Sequence, residues 1–199
     1  IMLSKLANII LDNSLTGFEF ASGIPGTLGG AVAMNAGAYG GEIKDCIVET
    51  KVLDDKCNII TLGVDELDLS YRNSVILKKG YVVLEAKFKF DKGDKDSIKN
   101  TMLDLNMRRK EKQPLEYPSA GSTFKRPEGY FAGKLIMDSG LAGFSVGGAQ
   151  VSDKHCGFVI NKNEATASDI KELMKQVDER VYDKHNVHLE PEVRIIGEF

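Results

Sequence analysis

The chain contains no tryptophan, five prolines and three cysteines in 199 residues. No apolar run reaches the ~18 residues that a membrane-spanning helix needs, which argues against an integral membrane protein. There is no excess of basic charge: 26 Lys and Arg face 29 Asp and Glu, a formal net charge of −3. A dedicated nucleic-acid binder usually carries a strong basic surplus, so that class is excluded. Cys46, Cys57 and Cys156 are odd in number and form no C-x-x-C pair. Such a set suits neither a disulfide framework nor a structural zinc site. All three are expected as small buried or half-buried apolar residues of a reducing, cytoplasmic compartment. Residues Ile1 to Ile10 hold one lysine and no small-residue cleavage site, so no secretory leader is read there. The chain opens inside a helical pattern, so a fragment of a longer protein is expected.

What is present describes an ordinary soluble chain. Hydrophobic residues make up 42% and charged residues 28%, a balance that excludes wholesale disorder. The length suits one large domain or two small ones, each able to bury a core without staples. Leu3, Leu6, Ile9 and Ile10 lie on one helical stripe over 3–13, with Ser4 as its cap. Strand patterns follow at 43–53, 58–62 and 80–90. In the last of these Phe88 and Phe90 alternate with lysines. The segment 91–96 reads as a polar turn. A helix is expected over 97–112, carried by Ile98, Met102 and Leu105. Pro114 and Pro118 bracket an irregular stretch that marks a domain boundary. Beyond it come a short helix at 131–139 and a buried strand at 156–161. A strong helix at 167–184 carries the stripe Ile170, Leu173, Met174, Val177 and Val181, capped by Thr166 or Ser168. Pro191 starts a last strand. Interleaved strands and helices of this kind imply a mixed α/β or α+β fold.

Residues 21–41 carry seven of the chain's 20 glycines. Glycine lets backbone approach a ligand closely, and consecutive backbone N–H groups can hold phosphate. The segment fits neither the dinucleotide pattern G-x-G-x-x-G after a strand nor the P-loop pattern. Glycine content alone fits a tight connection between packed elements equally well. The string itself is more specific. Gly23-Ile-Pro-Gly-Thr-Leu-Gly-Gly30 and Asn35-Ala-Gly-Ala-Tyr-Gly40 resemble the flavin-binding signature of the UDP-N-acetylenolpyruvoylglucosamine reductase family. Three further segments resemble that family in the same order. They are Ser70-Tyr-Arg-Asn-Ser74, Ser119-Ala-Gly-Ser-Thr-Phe-Lys125 and Leu189-Glu-Pro-Glu-Val-Arg194. The likeness runs from about Leu3 to the end, and is to the shorter of the family's two types.

The resemblance implies an FAD- and NADPH-dependent oxidoreductase of peptidoglycan synthesis, cytoplasmic and monomeric. It would saturate the enol ether of a UDP-sugar, UDP-N-acetylglucosamine enolpyruvate. Residues 1–113 with 191–199 would form the second subdomain of the FAD-binding domain, and 114–190 a C-terminal α+β substrate domain. Family members begin with another small subdomain that holds part of the FAD, and nothing in this chain corresponds to it. The chain alone is therefore expected to bind flavin weakly and to be inactive. No nucleic acid, membrane or metal ion is implied.

Residue by residue, the resemblance places flavin contacts at Gly23, Ile24, Pro25, Gly26, Asn35, Gly37, Ala38, Tyr39 and Tyr71. Ser122 matches the family's proton donor. A serine hydroxyl is a weak acid, but an enolate-like carbon is basic enough to take its proton. Taken alone, a serine after glycine reads as a turn residue. Arg72 and Glu192 match the pair that handles the substrate carboxylate. An arginine fork binds a carboxylate through two parallel hydrogen bonds. A glutamate beside it repels unless it carries a proton. Apart from the motifs, Arg72 reads as a salt-bridge residue and Glu192 as a surface strand residue. The stretch 107–126 is locally basic, ordinarily the mark of a solvated face. Lys112, Lys125 and Arg126 there would contact the UDP-sugar, and His155 would be a polar group on the substrate side. Two other readings stay open: a different flavin oxidoreductase acting on an alcohol, or a UDP-sugar-binding module without activity.

Overall fold

The computed structural model describes residues 1–197. The chain divides into two compact units, Ile1–Arg109 and Lys110–Phe199. The division falls before Pro114, in the last turn of a long helix rather than in the proline-bracketed stretch after it.

The first unit begins with α1 (Leu3–Asp12). Leu3, Ala7 and Ile10 are buried, whereas Ile9 turns outward. Met2 holds the cap position and no side chain caps the helix, so Ser4 does not have the expected role. Then come β1 (Leu15–Thr16), α2 (Leu28–Ala33), β2 (Gly37–Ala38), β3 (Gly41–Glu42), β4 (Ile47–Leu53) and β5 (Ile59–Gly63). They are followed by α3 (Val75–Lys79), β6 (Val82–Phe88), β7 (Asp91–Lys92) and α4 (Lys95–Lys112). Residues 43–45 form a short 3-10 turn rather than the start of a strand. The middle strand β4 pairs antiparallel with β5 on one side and β6 on the other. β1 pairs with β7, so Asp91 and Lys92 are a strand edge and not a turn.

The core of this unit is aromatic at one end. Phe18 is 1% exposed and meets Phe20, Phe88 and Phe90 edge to face at 5.5–5.8 Å. Edge-to-face pairs satisfy the ring quadrupoles and add to the burial energy. Leu3, Val32, Ile43, Val52, Leu67 and Ile76 complete it.

The second unit is one four-stranded antiparallel sheet with helices packed on it. Its elements are β8 (Ser119–Ser122), α5 (Ala132–Asp138), β9 (Ser145–Val146), β10 (Ala149–Val151), β11 (Phe158–Asn161) and α6 (Ala167–His185). The strand order is β8-β11-β10-β9. α6 buries Leu173, Met174, Val177 and Val181, as its stripe predicts. Thr166 caps it: the hydroxyl accepts from Asp169 N at 3.1 Å while the Asp169 carboxylate accepts from Thr166 N at 2.9 Å. Residues 191–197 form no continuous strand. Pro191 makes an isolated bridge to Phe124 within the second unit. Residues 198–199 of the expected last strand lie outside the described residues. The antiparallel sheets and separate helices bear out an α+β fold.

Among the described residues no helix is long and apolar enough to cross a membrane. Cys46 and Cys156 are buried, and Cys57 is exposed, against expectation, in the turn between β4 and β5. Burial, then the neighbouring Asp45, pushes the Cys46 thiol up to about 12, which leaves it unreactive.

Two outcomes test this architecture. Leu173→Ala should cost about 2–5 kcal/mol in chemical denaturation, because the side chain is fully buried and leaves a cavity. The backbone and hydroxyl hydrogen bonds at the α6 cap hold Asp169 below the usual carboxylate range. Its contribution is therefore present above the unfolded carboxylate pKa and is lost as pH falls through the folded one. Asp169→Asn should lower the melting temperature at neutral pH, and the gap should close in acid. An equal gap at all pH values contradicts the cap.

Candidate active-site motifs

In the first unit the glycine-rich segment folds back as a two-residue hairpin. β2 pairs with β3 in the register Gly37↔Glu42 and Ala38↔Gly41. Tyr39 and Gly40 form the turn with φ of 54° and 89°. Positive φ at both turn residues is what a twisted hairpin of this length favours. The glycines separate by role. A Cβ at Gly37 would lie 2.7 Å from the Gly41 carbonyl oxygen, and one at Gly41 would lie 2.6 Å from the Phe20 ring. These two are glycine because packing demands it. Gly26, at φ 144°, has open space where a Cβ would stand, and its carbonyl accepts from Leu3 N at 3.0 Å.

Asn35 ties this hairpin to the second motif. It is 1% exposed and sits in the left-handed region at φ 43°. Its amide donates to the Glu42 carboxylate at 2.5 Å and to the Ser70 carbonyl at 3.2 Å, and its oxygen accepts from Lys44 N at 3.0 Å. The side chain is thereby committed to the protein, so Asn35 positions the loop rather than offering its amide to a flavin. Ser70 and Asn73 exchange backbone hydrogen bonds at 3.1 and 3.2 Å. The Ser74 hydroxyl donates to the Ala33 carbonyl at 2.6 Å and caps α3. Tyr71 and Arg72 occupy the tip of this closed loop. Arg72 is left-handed at φ 52°, with its guanidinium 4.9 Å from the Tyr71 ring centre. Three nominated residues, Asn35, Tyr39 and Arg72, thus hold backbone geometry that costs a side-chain-bearing residue energy, a frequent feature of functional loops.

In the second unit Thr123 joins the remaining motifs. Its N–H donates to the Gly157 carbonyl at 2.8 Å, and its hydroxyl accepts from Val159 N at 2.9 Å. Its carbonyl accepts from Glu192 N at 2.8 Å. Two residues on, the Lys125 N–H donates to the Glu190 carbonyl at 2.8 Å. The serine motif and the glutamate motif therefore run side by side. Ser122 lies exposed in β8 opposite Phe158, and is a strand residue rather than a turn residue.

His155 is half-buried against the edge of the Phe158 ring at 4.9 Å. Its Nδ1 accepts from Gly157 N at 3.1 Å, which puts the proton of the neutral ring on Nε2. Burial lowers its pKa, so the ring is neutral near pH 7. Ser122, Glu192 and His155 are thus linked through Thr123 and Gly157. Lys125 pairs with Glu190. Arg126 donates to the Tyr130 carbonyl at 3.2 Å and stacks 3.9 Å over the Phe131 ring. Lys112 is exposed at the end of α4, and no hydrogen bond or ion pair ties it to these residues among those described.

Reading the sequence missed Thr123 as the junction. Its only signal was position, between two nominated residues. Among the described residues no three His, Cys, Asp or Glu side chains are placed to hold a metal ion.

Comparison with known proteins agrees with this division. Residues 113–196 match the family described as UDP-N-acetylenolpyruvoylglucosamine reductase, C-terminal domain. Residues 1–63 match the FAD binding domain family. The UDP-N-acetylenolpyruvoylglucosamine reductase of Lachnoclostridium phytofermentans is 63% identical over 196 residues, covering 98% of this chain and 63% of the relative. That of Clostridium novyi is 63% identical over 197 residues, covering 99% of this chain and 64% of the relative. The chain thus spans less than two thirds of the length of these curated relatives. The crystal structure of UDP-N-acetylenolpyruvylglucosamine reductase from Thermus caldophilus superposes with a TM-score of 0.84 at 35% identity, covering 96% of this chain and 69% of that one. With two family matches in order, these identities and that superposition, the chain belongs to the UDP-N-acetylenolpyruvoylglucosamine reductase family.

Proposed function

We propose that the chain carries most of the catalytic side chains of an NADPH- and FAD-dependent reductase in peptidoglycan synthesis. It would convert UDP-N-acetylglucosamine enolpyruvate to UDP-N-acetylmuramate, in the cytoplasm and as a monomer. The observation that carries this reading is the Glu192 N–H to Thr123 carbonyl bond of 2.8 Å, which seats the glutamate motif beside the proton-donor motif. Residues 1–113 supply the FAD-binding side and 114–190 the UDP-sugar side. Residues 191–192, expected with the former, are hydrogen-bonded to the latter.

The first unit's residues fit a flavin. Gly26 has open space where a Cβ would stand, and Tyr39 and Tyr71 are 45% and 52% exposed at loop tips. Ile24, Pro25 and Ala38 add small or apolar surface beside them, with Gly23 and Gly37 shaping the backbone. When bound, FAD supplies the two-electron relay that takes hydride from NADPH and passes it to the terminal enolpyruvyl carbon.

The protein's own residues do the rest. Arg72 binds the substrate carboxylate and steadies the charge that grows on it during hydride addition. Its left-handed backbone, fixed by the Ser70–Asn73 bonds, aims the guanidinium from the loop tip. Ser122, exposed on β8, gives its hydroxyl proton to the carbon next to that carboxylate. Glu192 is seated beside Ser122's strand by its N–H bond to the Thr123 carbonyl and handles the same carboxylate. His155, neutral with its proton on Nε2, offers a hydrogen-bond donor to the sugar side. Lys112, Lys125 and Arg126 supply positive charge for the diphosphate.

Ser122→Ala in the full-length protein tests this. Reduction of the flavin by NADPH should stay within about twofold of wild type. Reoxidation by the enolpyruvyl substrate should slow by about 10²–10⁴-fold in stopped-flow absorbance, the span of one acid-base group. Survival of both half-reactions contradicts the assignment.

A further inference from the structure

We infer that Arg109 is a positioning residue for the flavin-binding motif, locking its two separated pieces to α4. This rests on the FAD reading above. Asn106 and Arg109 are three residues apart and so share a face of α4. The Asn106 amide nitrogen donates to the Ser22 hydroxyl at 3.4 Å. The Arg109 Nη1 donates to the Gly23 carbonyl. Its guanidinium carbon also lies 5.7 Å from the Tyr39 ring centre, within cation–π range. One planar group therefore holds the first residue of the GIPG string and the tip residue of the hairpin, 16 positions apart in the chain.

Two observations make this more than a surface contact. A Cβ at Gly23 would run into Asn106 Oδ1 and stand 3.1 Å from Arg109 Nε, so the glycine makes room for both α4 side chains. The Nε itself is buried with no hydrogen-bond partner, a penalty that any surface rotamer would avoid. The arginine is held in an unfavourable place by what it clamps. A lysine keeps the charge but is a point donor without a plane, and cannot serve the carbonyl and the ring together. Tyr39 also holds a left-handed backbone, and the clamp keeps its ring set for a ligand.

The test is FAD titration of the full-length protein by flavin fluorescence. Visible circular dichroism of the bound flavin and melting of the apoprotein accompany it. Arg109→Ala should raise the dissociation constant at least about tenfold, and Arg109→Lys about three- to tenfold. Both should alter the flavin dichroism while apoprotein melting stays within about 2 °C. Should the alanine variant fail to fold, the lysine variant decides. Arg109→Lys binding within twofold of wild type with unchanged dichroism overturns the inference. Weakened binding that merely tracks a lower melting temperature also overturns it, since that is a structural role alone. A wild type that binds no FAD overturns the flavin reading itself, a separately visible outcome.

Discussion

Thr123 is the point on which the second unit's chemistry depends. It is 3% exposed, and its N–H, hydroxyl and carbonyl each bond a different neighbour. Those neighbours are Gly157, Val159 and Glu192. Each such bond is worth about 0.5–1.5 kcal/mol net, but a buried N–H left without its acceptor costs about 1–3 kcal/mol. The three segments are therefore held in one register. Ser122 stands in β8, paired with β11 and followed by a threonine bonded to Gly157, Val159 and Glu192, so its hydroxyl is presented by fixed backbone. Small displacements at a reacting centre are expensive, so this rigidity suits the proton delivery proposed for Ser122.

Asn35 has the same part in the first unit. One buried side chain joins the hairpin at 42 and 44 to the loop at Ser70, bringing together motifs that lie 35 positions apart. The loops so joined contain Asn35, Tyr39 and Arg72, all in the left-handed region. Such backbone persists only where surrounding bonds over-determine it. The Ser70–Asn73 exchange and the Ser74 cap provide that for Arg72. Both units thus use buried polar residues, not the flexible loop tips, to set where the nominated side chains project.

The longer helices were readable from periodicity because one apolar stripe facing one sheet decides them, whereas the short α2 and α3 were not read. Leu173, Met174, Val177 and Val181 are buried as their spacing requires. The short strands β5 and β11 were readable from their apolar runs, and the others were not. Ser119-Ala-Gly-Ser122 has no alternation, because its place in the sheet comes from β11 and from Thr123 rather than from its own side chains. The last stretch from Pro191 has strand-like composition yet makes only an isolated bridge. The Ser4 cap failed because Met2, not a side-chain acceptor, precedes the helix. The motifs showed which residues matter. They did not show that Asn35 is spent on the protein, nor that Gly37 and Gly41 are glycine for packing. Those are long-range contacts, invisible to spacing.

The central claim is that Ser122 and Glu192, seated side by side through Thr123, act on one event. A double-mutant cycle on substrate-dependent flavin reoxidation measures this directly. Ser122→Ala, Glu192→Gln and the double variant are compared in the full-length protein. The account predicts strong non-additivity, with the double variant only about as slow as the slower single one. Rate losses that multiply, as for two independent sites, would contradict it.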